Sequence, residues 1–393
     1  TGTRNIAIGY RAYDAADTEN DNLAIGYDAL GGAIAGGEFN VAIGNYSLDA
    51  NTSGDYNTTM GFNSGSSNTT GTNNTFIGSS AGWGNTTGNQ NVFIGQSAAS
   101  GNTTGSNNIM IGDNAGAANT TADGNIFIGR ASGEDNTTSA GNTFVGVYTG
   151  IDNTAANNTL IGSSAGKYNT TGSENTFVGA SAGVSNTTGG ANTFVGTNAG
   201  NSSTTGDGNT FIGRNAGNAN TTGWDNTFIG KDAGLNVTTA DRNTFLGGSA
   251  GISTTTGAYN TFIGESAGSS NTTGGQNTII GMNAGSSNTT GGDNTYIGMN
   301  GGKSNTTGTR NIAIGNNALD APDTENDNLA IGYDALGGSI AGGEYNVAIG
   351  NYSLDANTTG DYNVAVGYDA LGANTTATFN TAFGSSSLSA NTT

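Results

Sequence analysis

Apolar residues return at a fixed interval along the whole chain. The motif Asn-x-x-apolar-Gly occurs 23 times. Its copies begin 17 residues apart, except for two intervals of 18 and one of 16. In ten repeats this apolar stretch is followed by Asn-Thr-Thr-Gly, which is typical of a turn, and several others have a close variant of it. A βαβ unit needs about 30 residues. The pattern therefore predicts an all-β fold, a parallel β-solenoid (β-roll) of about 23 turns, in which strands of about five residues pair with the next repeat.

Two positions within the repeat change together. With the Asn numbered as position 1, ten repeats have Phe at position 3 and Gly or Ala at position 9, whereas eight have Ala at position 3 and Leu or Tyr at position 9. Because protein interiors conserve packed volume, this pairing predicts that the two side chains share one interior space. Separate duplication of two repeat types is the alternative. The predicted core includes Phe76, Phe177, Phe211, Phe262, Leu30 and Leu336.

Position 4 is apolar in every repeat and is Ile or Val in most of them. Side chains alternate along a strand, so an inward position 3 predicts that positions 2 and 4 face outward. Soluble monomers rarely expose a long apolar row, and a second copy of the chain is the simplest cover for one. We therefore expect a parallel homo-oligomer. A bend at the Gly of position 5 that turns position 4 inward is the alternative.

Composition and charge exclude several classes of protein. The chain contains 70 Gly but only one Pro and no three-residue Gly period, which argues against helices and excludes collagen. It lacks Cys and His, so disulfides, thiolate metal sites and Ser-His-Asp catalysis are excluded. The formal charge of −20 argues against a nucleic-acid partner. No apolar run is long enough for membrane insertion within this segment.

The array also has a longer period. Residues 1–61 return almost unchanged as residues 307–367, an offset of 306. We expect residues 1–393 to form one continuous array. The chain begins and ends within a repeat and lacks a capping segment, and open solenoid ends expose unpaired strands. This predicts either a slice of a longer protein or a filament whose ends stack.

The repeats resemble known surface proteins. The stretches 40–44 and 346–350, both Asn-Val-Ala-Ile-Gly, resemble the head repeats of YadA-like trimeric autotransporter adhesins. The Asn-Thr-Phe-Ile-Gly repeats are similar to arrays in bacterial and phage tail-fibre-like proteins. The resemblance implies a left-handed, usually trimeric β-roll at a cell or virion surface, used for attachment or as a spacer. Host or surface glycans are possible partners in such a role.

The Asn-Thr-Thr triplets match the acceptor pattern for N-glycosylation, and we expect them at an exposed corner. Ordinary turn chemistry is the alternative, because Asn and Gly both tolerate left-handed backbone. The candidate residues are Asn68, Asn85, Asn102, Asn136, Asn169, Asn186, Asn220, Asn271, Asn288, Asn305, Asn357 and Asn374. Stacked Asn side chains at position 1 are predicted to bond from one turn to the next.

Two dense acidic segments are candidates for Ca²⁺, which prefers oxygen ligands. A solvated turn is the alternative, and we expect no other cofactor. The acidic residues are Asp14, Asp17, Glu19, Asp21, Asp320, Asp323, Glu325 and Asp327.

The expected function is that of an extracellular structural or adhesive fibre segment without catalytic activity. No repeat departs by more than one residue in length, whereas β-helical polysaccharide enzymes place one unique site on an irregular scaffold. A glycan- or receptor-binding adhesin or tail-fibre module is the alternative. Regular Thr rows leave ice binding as a third possibility.

Overall fold

The computed structural model describes residues 2–14, 18–32, 37–320, 324–338 and 343–392. In these ranges the chain forms 23 strands and no helix, and each strand is three residues long at positions 2–4 of a repeat. The predicted parallel β-solenoid is confirmed. The strands are shorter than the predicted five residues because the Gly of position 5 leaves the extended conformation. We call each repeat a coil and number the coils by their strands.

The chain divides into two compact halves, Thr1–Asn192 and Thr193–Thr393, which are described separately. The continuity of the array between them stays a prediction, as does the left-handed coiling. The first half contains β1 (Ile6–Ile8), β2 (Leu23–Ile25), β3 (Val41–Ile43), β4 (Thr58–Met60), β5 (Thr75–Ile77), β6 (Val92–Ile94), β7 (Ile109–Ile111), β8 (Ile126–Ile128), β9 (Thr143–Val145), β10 (Thr159–Ile161) and β11 (Thr176–Val178). The second half contains β12 (Thr193–Val195), β13 (Thr210–Ile212), β14 (Thr227–Ile229), β15 (Thr244–Leu246), β16 (Thr261–Ile263), β17 (Thr278–Ile280), β18 (Thr295–Ile297), β19 (Ile312–Ile314), β20 (Leu329–Ile331), β21 (Val347–Ile349), β22 (Val364–Val366) and β23 (Thr381–Phe383).

Within each half, neighbouring strands pair in parallel and in register. Phe211 of β13 lies opposite Phe228 of β14, one repeat further along the chain. The Thr210 amide donates to the Asn226 carbonyl at 2.8 Å, and the Gly230 amide donates to the Ile212 carbonyl at 2.8 Å. Equivalent positions therefore form rows that run from coil to coil.

The interior is filled by positions 3 and 9, as the paired substitutions predicted. In a Phe coil the ring occupies the space: Phe211 is fully buried, and a Cβ on Gly217 would lie 2.5 Å from its ring. In an Ala coil the space is filled from the opposite position, since Ala330 and Leu336 are both fully buried. All six predicted core residues are buried.

The Phe rings of successive coils stack on one another. From coil 12 to coil 16 the ring centroids are 4.8–4.9 Å apart and the planes are within 12° of parallel. The five rings are Phe194, Phe211, Phe228, Phe245 and Phe262. Coil spacing thus places each ring in contact with the rings of the adjacent coils, which stabilises the stack by dispersion.

The Gly of position 5 has a conformation that other residues cannot readily adopt. Gly230 has a φ of 137°, and a Cβ there would lie 2.4 Å from the carbonyl oxygen of Gly247 in the next coil. Backbone meets backbone at this corner, so no side-chain movement can relieve the contact. This explains why position 5 is Gly in every repeat.

Candidate interaction surface

Asparagines at position 1 form a buried ladder between coils. The Asn226 amide nitrogen donates to Asn209 Oδ1 at 3.0 Å, and Asn226 Nδ2 donates to the Ala240 carbonyl of its own coil at 2.8 Å. Both asparagines are fully buried. The predicted bonding between successive turns is confirmed, and these amides serve the fold.

A second ladder lies at position 12, which the sequence interpretation placed at an exposed corner. Asn85 Nδ2 donates to Asn68 Oδ1 at 2.8 Å and to the Gly88 carbonyl at 3.1 Å. The amide is turned inward because it closes its own turn and also reaches the preceding coil. A buried amide needs such partners.

The expected exposure of the glycosylation candidates is therefore wrong. All twelve are fully buried: Asn68, Asn85, Asn102, Asn136, Asn169, Asn186, Asn220, Asn271, Asn288, Asn305, Asn357 and Asn374. Attachment of a glycan to Nδ2 would displace the ladder bonds, so modification would have to precede closure of the coil. Modification itself stays a prediction.

Threonines at position 14 are the exposed members of the triplets. They follow one another in consecutive coils of the second half, at Thr205, Thr222, Thr239, Thr256 and Thr273. The Thr at position 13 instead bonds to the next coil; Thr221 Oγ1, for example, donates to the Thr238 carbonyl at 3.0 Å. The triplet thus joins a buried Asn to an exposed Thr row.

The first acidic segment places its carboxylates beside arginines. Asp21 Oδ1 lies 2.5 Å from Arg4 Nε, and this hydrogen bond lowers the pKa of Asp21. Asp14 Oδ2 lies 3.0 Å from Arg11 Nε. Glu19 is buried and its Oε2 accepts from the Thr18 amide at 3.1 Å. Asp17 lies outside the described residues.

The second acidic segment partly repeats this arrangement. Asp327 Oδ1 lies 2.7 Å from Arg310 Nε, and this hydrogen bond lowers the pKa of Asp327. Glu325 Oε2 accepts from the Thr324 amide at 2.7 Å. Asp323 lies outside the described residues. Within the described ranges, the predicted calcium ligands of the two segments do not come together as a metal-holding group of three or more.

Positions 2 and 4 of the strands form a surface that we call the outer face. Residues at these positions are partly or fully exposed, and Ile212 and Leu246 expose 37% and 42% of their surface. The prediction that position 4 faces outward is confirmed, and the alternative of an inward bend is wrong. No charged residue occupies position 2 or 4 in any repeat, although the chain carries a formal charge of −20.

Exposed aromatic ladders lie beside the outer face, and the sequence interpretation missed them. Tyr345, Tyr362 and Phe379 directly precede position 1 of coils 21, 22 and 23, and they stack with centroids 4.8 and 5.1 Å apart. These rings are 44%, 48% and 75% exposed. Their return at the repeat spacing was visible in the sequence, where position 17 is otherwise variable.

No family model matches this chain, and no curated protein matches it. The described part of the chain contains no helix with the length and apolarity needed to cross a membrane. Its ranges also contain no pocket.

Proposed function

We propose that this chain is a non-catalytic structural or adhesive segment of an extracellular fibre at a cell or virion surface. The observation that carries the proposal is the uncharged outer face, which returns in every coil of each half. The segment would supply reach, stiffness and many equivalent surface positions. A fibre needs such repeated stacking more than it needs one unique site.

The occupant that best fits the outer face is a second copy of this chain. A copy has the same coil spacing, so each position-4 side chain can meet an equivalent partner along a whole half. Because the face is uncharged, two copies can approach there while the carboxylates stay in water. A parallel trimer follows from the resemblance to adhesin heads, and end-to-end filaments are the other arrangement.

Sedimentation equilibrium of the full chain tests this proposal. We expect a mass three times the 38.7 kDa of one chain. Replacement of Ile229 and Ile263 by Lys puts charges on the outer face and should give a monomer. The matched control replaces Thr256 and Thr290, which are exposed at position 14, by Lys as well. It should keep the wild-type mass. A monomeric wild type would overturn self-association.

The exposed aromatic ladders favour a second candidate, a glycan- or receptor-binding module. Tyrosine combines an apolar ring with a polar hydroxyl, which suits ligands that carry both kinds of surface. Binding of the wild type and of Tyr362→Ala to a panel of surface glycans tests it. Binding that is lost in the variant, with the mass unchanged, would support an adhesin; absence of wild-type binding would count against it.

A further inference from the structure

Two tyrosines of an aromatic ladder in the second half lie face to face. The rings of Tyr345 and Tyr362 have centroids 4.8 Å apart, and their planes are 7° from parallel. Both rings are exposed. The Tyr362 amide donates to the Glu344 carbonyl at 3.1 Å, which holds the two backbones at the spacing of adjacent coils. Because the rings are nearly parallel, the carbons ortho to the two hydroxyls face each other across about one coil spacing.

Geometry separates this pair from other tyrosine contacts of the same half. Tyr352 meets Tyr333 edge to face with centroids 5.4 Å apart, and it meets Tyr368 in the same way at 5.8 Å. The unpaired electron of an oxidised phenol occupies orbitals perpendicular to the ring, so two such rings form a bond when their faces approach in an aligned pair. The parallel pair is arranged for this coupling, and its exposed position lets the rings tilt together. The edge-to-face pairs are not so arranged.

The first long copy has the same stack with one hydroxyl fewer. Phe39 and Tyr56 occupy the positions equivalent to Tyr345 and Tyr362. Their centroids are 4.9 Å apart and their planes are 5° from parallel. The stack therefore forms without a second phenol, and the two copies separate ring stacking from phenol chemistry.

A covalent link between coils has to use a side chain other than cysteine, because the chain contains none. The same lack of thiols removes the side chain that most readily reduces an oxidised tyrosine. Tyr345 is the last residue of coil 20, and Tyr362 is the last residue of coil 21. A bond between them would tie adjacent coils together and constrain the unfolded chain, as a disulfide does.

We propose that Tyr345 and Tyr362 form a site of oxidative cross-linking, at which a haem peroxidase and hydrogen peroxide join the two rings as dityrosine. Each phenol loses one electron and its hydroxyl proton, and the two radicals form a carbon–carbon bond between positions ortho to the oxygens. Each bonded carbon then releases its hydrogen as a proton and each oxygen takes up a proton, which restores both phenols. Hydrogen peroxide accepts the two electrons and two protons lost in total, its O–O bond breaks, and two water molecules form. The site does not rest on self-association or on glycan binding.

Treatment of the full chain with a haem peroxidase and limiting hydrogen peroxide tests the site. Cleavage at acidic residues separates the two tyrosines, because Asp355 and Asp361 lie between them. We expect the two peptides to stay joined, with a mass lower than their sum by two hydrogen atoms. Fragmentation should place the link between Tyr345 and Tyr362. Denaturing electrophoresis should show the linked product at the mass of one chain.

The first copy supplies natural replacements for the variants. Tyr345→Phe keeps the stack, as Phe39 does, and should abolish the link. Tyr368→Phe is the matched control, because it removes an exposed phenol of the same segment, gives the residue found at Phe62, and should keep the link. Phe39→Tyr completes the pair with Tyr56 and should create a new link in the first half.

Several outcomes would overturn the proposal: no link at Tyr345 in the wild type, a joined pair that persists in Tyr345→Phe, or a link that joins two chains. The stacked pair Tyr10 and Tyr27 has centroids 5.6 Å apart and should couple in lower yield. A higher yield there, or at the edge-to-face contacts of Tyr352, would show that close parallel stacking does not select the site. Circular dichroism verifies that each variant keeps its β-structure.

Discussion

Phe coils and Ala coils fill the same interior from opposite sides. In coil 13 the strand contributes Phe211 and the turn contributes Gly217, whereas in coil 20 the strand contributes Ala330 and the turn contributes Leu336. The backbone is nearly the same in both, because φ at position 9 is 56° for Gly217 and 49° for Leu336. Side-chain volume has moved across the core without a change in the path of the chain.

Each coil type has its own cost and its own gain. A left-handed Leu costs about 1–2 kcal/mol. Burial of the Leu side chain returns about 1.5–3 kcal/mol. A Phe coil avoids the strained Leu and gains ring stacking with its neighbours, about 0.5–1.5 kcal/mol per pair. Both types thus bury one large apolar side chain per coil, and they differ in whether backbone strain or ring stacking accompanies it.

The largest expected effect comes from the corner that both coil types share. Gly230→Ala in a Phe coil and Gly350→Ala in an Ala coil each place a Cβ 2.4 Å from a backbone oxygen of the next coil, at φ of 137° and 131°. We expect each to lose about 5 kcal/mol or more, since strain and an immovable contact add. Chemical unfolding followed by circular dichroism measures this loss.

The control for these variants is Gly248→Ala, because a Cβ on Gly248 meets nothing within 4 Å and Gly248 is not left-handed. Its stability should stay within about 0.5 kcal/mol of the wild type. If Gly230→Ala were equally well tolerated, the close approach of coils at position 5 would not be a constraint.

The next prediction converts one coil type into the other. Phe211→Ala alone should lose about 3–5 kcal/mol by opening a cavity. Gly217→Leu alone should lose several kcal/mol, since its Cβ meets the Phe211 ring at 2.5 Å. The double variant recreates the Ala and Leu pair of coil 20, and it should be more stable than either single variant.

A double-mutant cycle on unfolding free energies measures this coupling. Phe228→Ala with Gly217→Leu is the matched control, because it removes a ring from the adjacent coil and leaves Phe211 against the new Leu. Additive losses for Phe211→Ala and Gly217→Leu would mean that positions 3 and 9 merely share ancestry.

The sequence predicts the interior well because packing leaves a trace in the repeats. Each repeat that exchanged Phe for Ala at position 3 also gained Leu or Tyr at position 9. The direction of Asn68 and the other position-12 residues could not be predicted in this way. Asn-Thr-Thr-Gly describes a turn equally well whether its amide faces water or the previous coil, and only the contact between coils decides.

Left-handed backbone at positions 7, 9 and 17 was also hidden from the sequence. These positions hold Asp, Leu, Tyr and Arg as well as Asn and Gly, so the usual preference for Gly and Asn is diluted. The aromatic ladders combine residues from different coils, and so does the contact of Arg11 with Asp28. Their contacts follow from the coil spacing and from the register between strands.

A smaller, stabilising effect is expected in the position-12 ladder. Coil 14 has the buried Val237 at this position, and Asn220 Oδ1 of the preceding coil is left without a hydrogen-bond donor. Val237→Asn would supply one, as Asn85 does for Asn68. We expect a gain of about 1 kcal/mol in unfolding free energy. Val237→Leu is the matched control, and a gain of equal size in that variant would contradict the assignment to hydrogen bonding.

The smallest expected effect is electrostatic. It concerns two Ala coils of the second half, which carry Asp320 and Asp355 at position 10, whereas Phe coils 12–16 have no carboxylate at that position. The pKa of Asp320 and of Asp355 is raised in the folded chain, so folding favours their protonated forms. Their contribution to stability is therefore present at low pH and is lost as the pH rises from the ordinary Asp value, about 3.9, through the raised value. Asp327 acts in the opposite sense, because Arg310 lowers its pKa, and its contribution is lost only below the ordinary value.

Asn317→Arg isolates this effect. It introduces the arginine that the first copy has at Arg11, beside Asp14 and Asp28, and it leaves every carboxylate of the wild type in place. The difference in melting temperature between the variant and the wild type should be largest and positive at pH 7 and should shrink as the pH falls toward 4. High salt should reduce it, since these groups remain partly exposed. A difference that stays constant with pH would show that the new arginine acts through packing and not through the charges of Asp320 and Asp355.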